Sequence, residues 1–519
     1  MKKVFKITFA LCFILAFLIA AMPTSSAASY NEDDFRYPIS AVYESFGKQG
    51  YAYGRITVKA NSWVNNNEGG CPTDAVVYWA NEDGKLEGYS PVCTFKLSTR
   101  STAFEFSDLL IIPEGADRLL VYTKIHGTDK FSTQSVEALL PENSAYSITK
   151  EPIMSFVVVS DTHLRSSDTS AANVKFRDML SDVNSMLPDA AGIFINGDNI
   201  NSGRDLSDTL VPRAELAKLV EYATDLTEIP IFMGVGNHDL WPNASRDTMK
   251  ILFANTATLP DGTHPTSIHY DFYLNGYHFV FVGDDDGDPT YATLSASTLT
   301  WLDETLAEGY SSGAPTFIFM HQAITNTVAG SLTDFGQEWD GITNAVEVRS
   351  ILAKYPQAIL FSSHSHYSMD SVRNAYSGGD TFPFNFNTGS LADVSDLPKE
   401  AQGYIVEVYE DAVILKGRDF AANEWKGSAQ YAVLYAEGEN GGSFTPVIPN
   451  TGNEETPKPT QTAKKTTFAT TSPKADESEL ESEQQAEDGD GGCGSSIGAS
   501  ALTVAILPCA FALKRKKRK

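Results

Sequence analysis

Short runs of Val, Ile and Phe, each closed by a polar cluster, punctuate the middle of the chain: SFVVVS (155–160), GIFIN (192–196), IFMGVG (231–236), TFIFM (316–320) and AILFSS (358–363). Runs of this length and composition, bounded by Gly, Asn and Ser, predict strands buried on both faces. Between several of them lie helical patterns, ANVKFRDMLSDVNSML, RAELAKLVEYATDLTE, STLTWLDETLAE and VEVRSILAKYP. Strands alternating with helices predict an α/β core. HYDFYLNGYHFVFVG (269–283) reads as a hairpin turning on Asn275-Gly276. After residue 380, GYIVEVYE, DAVILKGRDF and YAVLYA read as strands completing a second sheet.

The pattern differs upstream. YAYGRITVKA, DAVVYWANEDGKLEGY, CTFKLSTRSTAFEFS and DRLLVYTKIHG alternate with turn signals and carry no helical period. Residues 29–148 are therefore expected to form an all-β sandwich of immunoglobulin or fibronectin type, and residues 149–440 the α/β domain. Residues 441–492 are Pro/Thr/Lys-rich and then acidic, with eight Asp or Glu between Asp476 and Asp490, the composition of a self-repelling disordered spacer.

Both ends carry targeting patterns. Residues 1–28 place three lysines before an apolar run and then small residues, the order of a secretory signal peptide cleaved near Ala27 or Ala28. Residues 493–519 follow a Gly/Cys motif with an apolar stretch (497–513) and a terminal KRKKRK. This is the pattern of a bacterial surface-sorting signal without LPxTG, or of a transmembrane tail anchor. Either predicts an exported protein attached to the cell surface or membrane through its C-terminus. The formal charge is −27, but the ends hold nine basic residues and no acids, so the middle carries 30 basic against 66 acidic residues, −36. So acidic a body excludes nucleic-acid backbone binding, though not a nucleotide substrate. In an exported body Cys71 and Cys93 are a candidate disulfide.

The candidate chemistry lies at the strand ends. SFVVVS is followed by Asp161-Thr162-His163, GIFIN by Gly197-Asp198-Asn199, IFMGV by Gly236-Asn237-His238-Asp239, TFIFM by His321, and AILFSS by His364-Ser365-His366. Five of the nine histidines thus sit at one edge of a predicted sheet, the edge where open α/β sheets bind ligands. Oxygen and imidazole donors without thiolate suit Mn, Fe or Zn. Residues at i and i+2 of a strand share a face, which predicts that Asp161 and His163, and likewise His364 and His366, point the same way. A carboxylate such as Asp198 can bridge two ions.

In this order, Asp-x-His, Gly-Asp, Gly-Asn-His-Asp, a lone His and His-x-His, the sequence resembles the calcineurin-like metallophosphoesterases. The resemblance implies a four-layer αββα sandwich with a dinuclear metal site and hydrolysis of a phosphomonoester or phosphodiester. It assigns Asp161, His163, Asp198 and His366 to one metal, and Asp198, Asn237, His321 and His364 to the other. His238 is implied as the general acid. Asn199 and Arg165 are candidates to reach a phosphate, and Asp239 is expected to orient neighbours or cap a loop. Two departures stand out. Ser363 occupies a place that is commonly Gly, and a positive φ there would penalise it. Asn201 stands where many members carry an aspartate partnering the catalytic histidine, which predicts a less basic His238. Purple acid phosphatases share the plan, including an N-terminal β-sandwich, but need a tyrosine at position 201 and lack a histidine like His163.

The remaining features read as structural: DDDGD (284–288) as a solvated acidic loop, and His278 as a core histidine; His126, His264 and His269 lie outside the motifs. The alternative from another class is a surface binding or adhesion protein whose phosphoesterase domain is vestigial. Substrate, metal pair and oligomeric state are left open by the sequence.

Overall fold

Residues 38–436 and 445–446 are described by a computed structural model, apart from 61–70, 99–100, 126–129, 143, 148–149, 202–208, 241–245, 286–289, 312–313, 338–340 and 379–381. The expected signal peptide and C-terminal tail, and nearly all of the spacer, lie outside these residues, as does His126. Among the described residues no helix is long and apolar enough to cross a membrane.

The first strands follow a period of two. Along β2 (Gly54–Lys59) Gly54, Ile56 and Val58 are buried while Arg55, Thr57 and Lys59 are not, so one face meets a core and the other water. It pairs antiparallel with β1 (Ser40–Ser45) and with β6 (Ser101–Glu105). A second antiparallel sheet holds β4 (Gly84–Lys85), β3 (Pro72–Asn81), β7 (Arg118–Ile125) and β8 (Val136–Leu139), with β5 (Cys93–Lys96) also on β3.

The register here corrects the expected disulfide. Cys93 pairs opposite Val77, six residues along β3 from Cys71. At about 3.3 Å per residue this separates the cysteines by roughly 20 Å, far beyond the reach of a disulfide. Both are buried and free, and burial pushes the Cys93 thiol well up.

The α/β part runs β9 (Met154–Val159), α1 (Ala171–Met186), β10 (Ile193–Ile195), α2 (Leu210–Asp225), β11 (Ile231–Met233), α3 (Asn237–Leu240), α4 (Arg246–Thr256), β12 (Tyr270–Leu274), β13 (Tyr277–Val282), α5 (Ala296–Ser311), β14 (Thr316–Met320), α6 (Ala345–Leu352), β15 (Ile359–Ser362), β16 (Ala375–Tyr376), β17 (Phe384–Asn387), β18 (Gln402–Val408), β19 (Ala412–Asp419), β20 (Glu424–Ala436) and β21 (Thr445–Pro446). One sheet has the order β11-β10-β9-β18-β19-β20-β21, the other β12-β13-β14-β15-β17-β16. β9, β10 and β11 are parallel, as are β13, β14, β15 and β17.

Alternation within these fully buried strands decides the layering. Phe156, Phe194, Phe279, Phe281, Phe317, Phe319 and Phe361 face one way and build a core between the two sheets. Phe194 stacks on Phe279 at 4.5 Å, and Phe156 meets Phe317 at 5.0 Å. The intervening aliphatic residues face outward. Val157, Val159, Ile193 and Ile195 pack on Phe176 and Leu180 of α1 and Leu216 of α2. Val280, Val282, Ile318 and Leu360 pack on Leu302 and Leu306 of α5 and Val348 of α6. Helices thus cover the outer face of each sheet. Each such buried side chain stabilises the fold by about 1.5–3 kcal/mol relative to exposure.

The inner core does not stop at the α/β part. Ala52, Ile56, Val77 and Trp79 belong to the same hydrophobic cluster as Phe386, Tyr404 and Tyr431. Trp79 Nε1 donates to Gly427 O (3.0 Å), and isolated bridges join Tyr89 to Trp425 and Leu110 to Tyr431. The β-rich segment and the α/β segment form one compact unit.

Candidate metal centre

Each strand end delivers one cluster. β9, β10 and β11 of the first sheet lead into Asp161 and His163, Asp198, and Asn237. β14 and β15 of the second lead into His321, and His364 and His366. The side chains of Asp161, His163, Asp198, His321, His364 and His366 meet where the two sheets face each other. The spacing of two does not act through strand alternation, which corrects the sequence reading. β9 ends at Val159 and β15 at Ser362, and the ligand residues follow in turns. Asp161, His163, Asp198, His364 and His366 all have positive φ, between 42° and 69°. For non-glycine residues this region costs about 1–3 kcal/mol each and persists only where surroundings enforce it. Asp and His tolerate it better than most.

Two groups result. Asp161, His163, Asp198 and His366 offer ligand atoms all within 4.8 Å of one another, and so do Asp198, His321 and His364. Asp198 belongs to both. In the first group Asp161 Oδ1 lies 3.1 Å from His366 Nε2, and the Nε2 atoms of His163 and His366 are 3.1 Å apart. In the second, His321 Nε2 lies 3.3 Å from Asp198 Oδ2. Asp161 Oδ1, His321 Nε2 and Asn237 Oδ1 are buried, yet none has a neighbour at hydrogen-bonding geometry. Buried polar atoms left in this state cost free energy unless something else satisfies them. His321 Nδ1 donates to Asn196 O (2.7 Å), which turns Nε2 toward the carboxylates.

Glycines make the convergence possible. A Cβ at Gly236 would land on the Asp198 carboxylate, and one at Gly197 (φ 88°) would stand 2.7 Å from His321 Nδ1.

The electrostatics suit a cation. Burial alone would raise the Asp161 carboxyl, but His366 and His321 outweigh it and hold it well below the usual range. Asp198 is held down in the same way, chiefly by His321 and His238. Burial lowers His163 to about 3 and His364 to about 4, so both are neutral at pH 7, the form that donates to a metal. Burial also opposes protonation of His321 and His366, yet Asp198 and Asp161 raise His321 to about 9 and Asp161 raises His366. Two ionised carboxylates are thus balanced by protons that a metal cation would displace. The residues fit a dinuclear centre of Mn, Fe or Zn type.

His238 stands beside this cluster, its ring 4.6 Å from that of His163 and edge-on to it. Its backbone N–H donates to Asp198 Oδ1 (2.9 Å), and its Nδ1 lies 3.0 Å from the main-chain carbonyl of Asn201. The partner that Asn201 offers this ring nitrogen is thus its main-chain carbonyl. Asn199 is reassigned: it is fully buried, and its Nδ2 donates to Gly234 O (2.7 Å) and Asp239 Oδ2 (2.9 Å), leaving no N–H for a phosphate. Asp239 accepts from the backbone N–H of Gly236, Asn199 and Ile200 as well, and so ties the two loops that carry Asp198 and Asn237. Arg165 is exposed, two residues beyond His163.

Ser363, singled out in the sequence, does not have a positive φ; the left-handed conformation falls on His364 instead. The segment 389–400 carried little sequence signal. Leu391 N and Ala392 N donate to Ser160 O and Asp161 O, and Ser395 N to His366 O. Buried Lys175 donates to the carbonyls of Ala392, Pro398 and Glu400 and pins this segment. Asp284 is not solvated as expected: it is buried and paired with Arg246. His269 pairs with Asp285 (2.9 Å), and buried His278 with Asp271 (2.8 Å). His264 lies 2.7 Å from Ala257 O.

Residues 154–368 match the family model described as calcineurin-like phosphoesterase. No curated protein matches the chain. Among solved structures it is similar to a dimetal phosphatase from Danio rerio (14% identity, 55% of this chain and 100% of that one, TM-score 0.40). It is also similar to purple acid phosphatase PPD1 from yellow lupin (Lupinus luteus) seeds (11% identity, 77% and 74%, TM-score 0.37). A third similarity is to GAP50, the anchor in the inner membrane complex of Plasmodium (12% identity, 52% and 86%, TM-score 0.34).

Proposed function

We propose that this calcineurin-like phosphoesterase domain hydrolyses a phosphomonoester or phosphodiester at a dinuclear centre. The observation that carries the reading is the pair of ligand groups sharing Asp198, with unpartnered buried donors directed into them. Asp161, His163, Asp198 and His366 would hold one ion, and Asp198, Asn237, His321 and His364 the other. When bound, such a pair supplies an acidified water and neutralises charge on the phosphoryl oxygens. His238 is the general acid. Donation from Nδ1 to Asn201 O orients the ring, and Nε2 would carry the proton given to the departing oxygen. His238 is half-buried where most of the ligand residues are buried.

Export follows from the two end patterns, with the protein held at the bacterial cell surface or membrane by residues 493–519. Protease treatment of intact cells tests this; protection of the folded part would refute it. The activity is tested by metal analysis of purified protein and by phosphate release from aryl mono- and diesters with Mn, Fe or Zn supplied. Under one metal per chain with no turnover would refute the enzyme and favour a surface binding protein.

A further inference from the structure

We propose that Ser363 is a positioning residue for the metal centre, holding one oxygen of Asp161 so that only the other serves as a ligand. The proposal rests on the dinuclear reading above and deepens it. Ser363 follows β15 directly, and its backbone N–H donates to His321 O (2.8 Å), which fixes it between the two sheets. Its side chain is buried, at 2% exposure. The hydroxyl meets Asp161 Oδ2 and lies 2.9 Å from Gly389 O. It has one proton and two acceptors, and the ionised carboxylate is the stronger of them.

The carboxylate is thereby divided between two tasks. Oδ2 faces Ser363, while Oδ1 faces the Nε2 atoms of His366 (3.1 Å), His321 (3.8 Å) and His163 (3.9 Å). The Asp161 backbone is already fixed, its N–H donating to Gly197 O (3.1 Å) and its carbonyl accepting from Ala392 N (3.1 Å). What remains free is the terminal torsion of the side chain, which is intrinsically broad in carboxylates. The Ser363 hydroxyl removes that freedom. A glycine at this place would leave both oxygens free to turn toward the ion. Three separate segments converge on this one hydroxyl, the ends of β9 and β15 and the turn at Gly389 after β17. The serine that departs from the common glycine thus has a task of its own.

The test uses full-length protein stripped with a chelator and titrated with Mn²⁺, free ion being read by electron paramagnetic resonance. Wild type is expected to take two equivalents. Asp161 serves only the first group, so Ser363→Ala is expected to weaken one equivalent about 10–100-fold, the usual effect of losing a hydrogen-bond partner of a ligand, and to spare the other. Ser363→Gly reads the same loss if the alanine variant fails to fold. Ser363→Thr, which restores a hydroxyl, is expected to recover most of the affinity. A hydroxyl that only capped Gly389 would change the thermal stability of stripped protein without splitting the two equivalents. Two equivalents bound within twofold of wild type by Ser363→Ala and Ser363→Gly would overturn the role of Ser363 and leave the dinuclear reading standing. So would a threonine variant no tighter than alanine. Wild type binding less than one equivalent would overturn the reading beneath it.

Discussion

Replacing Asp239 by Ala should destabilise the protein before any metal is considered. Four donors lose their acceptor: the backbone N–H of Gly236, Asn199 and Ile200, and Asn199 Nδ2, at 2.9–3.1 Å. A hydrogen bond to a charged group contributes about 1.5–3 kcal/mol, but burial and the nearby Asp198 charge raise this carboxyl to about 6, so its ionisation is partly offset. Counting each bond below that range for this reason, at the about 1 kcal/mol of an ordinary hydrogen bond, the loss of four is about 3–5 kcal/mol. A folded body of roughly 400 residues unfolds with an entropy of about 0.8 kcal/mol/K, so Tm should fall by about 4–6 °C. The measurement is thermal unfolding at pH 8, where Asp239 is ionised, in chelator so that metal loss plays no part. The same variant should bind metal more weakly, because the loops it releases carry Asp198 and Asn237. A Tm within about 1 °C of wild type would refute the assignment of Asp239 as the tie between these loops.

His238→Gln should lower kcat by about 10²–10⁴ with metal content unchanged, as expected for a lost general acid; a change under threefold in steady-state turnover would remove it from that role. Cys71 and Cys93 should both alkylate after unfolding without reductant while resisting reagent in the folded protein, and a disulfide-linked peptide in the map would contradict the β3–β5 register. Trp79→Ala should cost about 3–5 kcal/mol and lower the midpoints for loss of near-ultraviolet circular dichroism and of activity together. Activity surviving past the structural transition would show that the β-rich segment folds apart from the α/β part.

The ligand positions were legible because each follows a run of Val, Ile and Phe that can only be a buried strand, and because parallel strands deliver their ends to one edge. The reason assigned to the spacing was not legible. Asp161 and His163 share a site through left-handed backbone after β9 has ended, and no periodicity encodes that. Phe at alternate positions of β13 and β14 marks the face between the sheets, a signal present in HFVFV and TFIFM but masked by the apolar character of both faces. The Ser363–Asp161 contact joins residues 202 apart in sequence, and Trp79 meets Gly427 across 348. The burial of Asp284 depends on Arg246, 38 residues away. Composition near each residue says nothing about such partners, so a loop looked solvated.

The site takes its ligands from both sheets, and this gives the phenylalanine layer a role at a distance. Asp161, His163, Asp198 and Asn237 move with one sheet, and His321, His364 and His366 with the other. The gap between the two ligand sets is therefore the thickness of the stack in which Phe194 rests on Phe279 and Phe156 on Phe317. The ring layer works as a spacer gauge. Shaving a ring such as Phe317 to Leu, well away from any ligand, would let the sheets settle closer and change the distance the centre can span. The spacing available to a dinuclear centre would then depend partly on hydrocarbon that no ion touches.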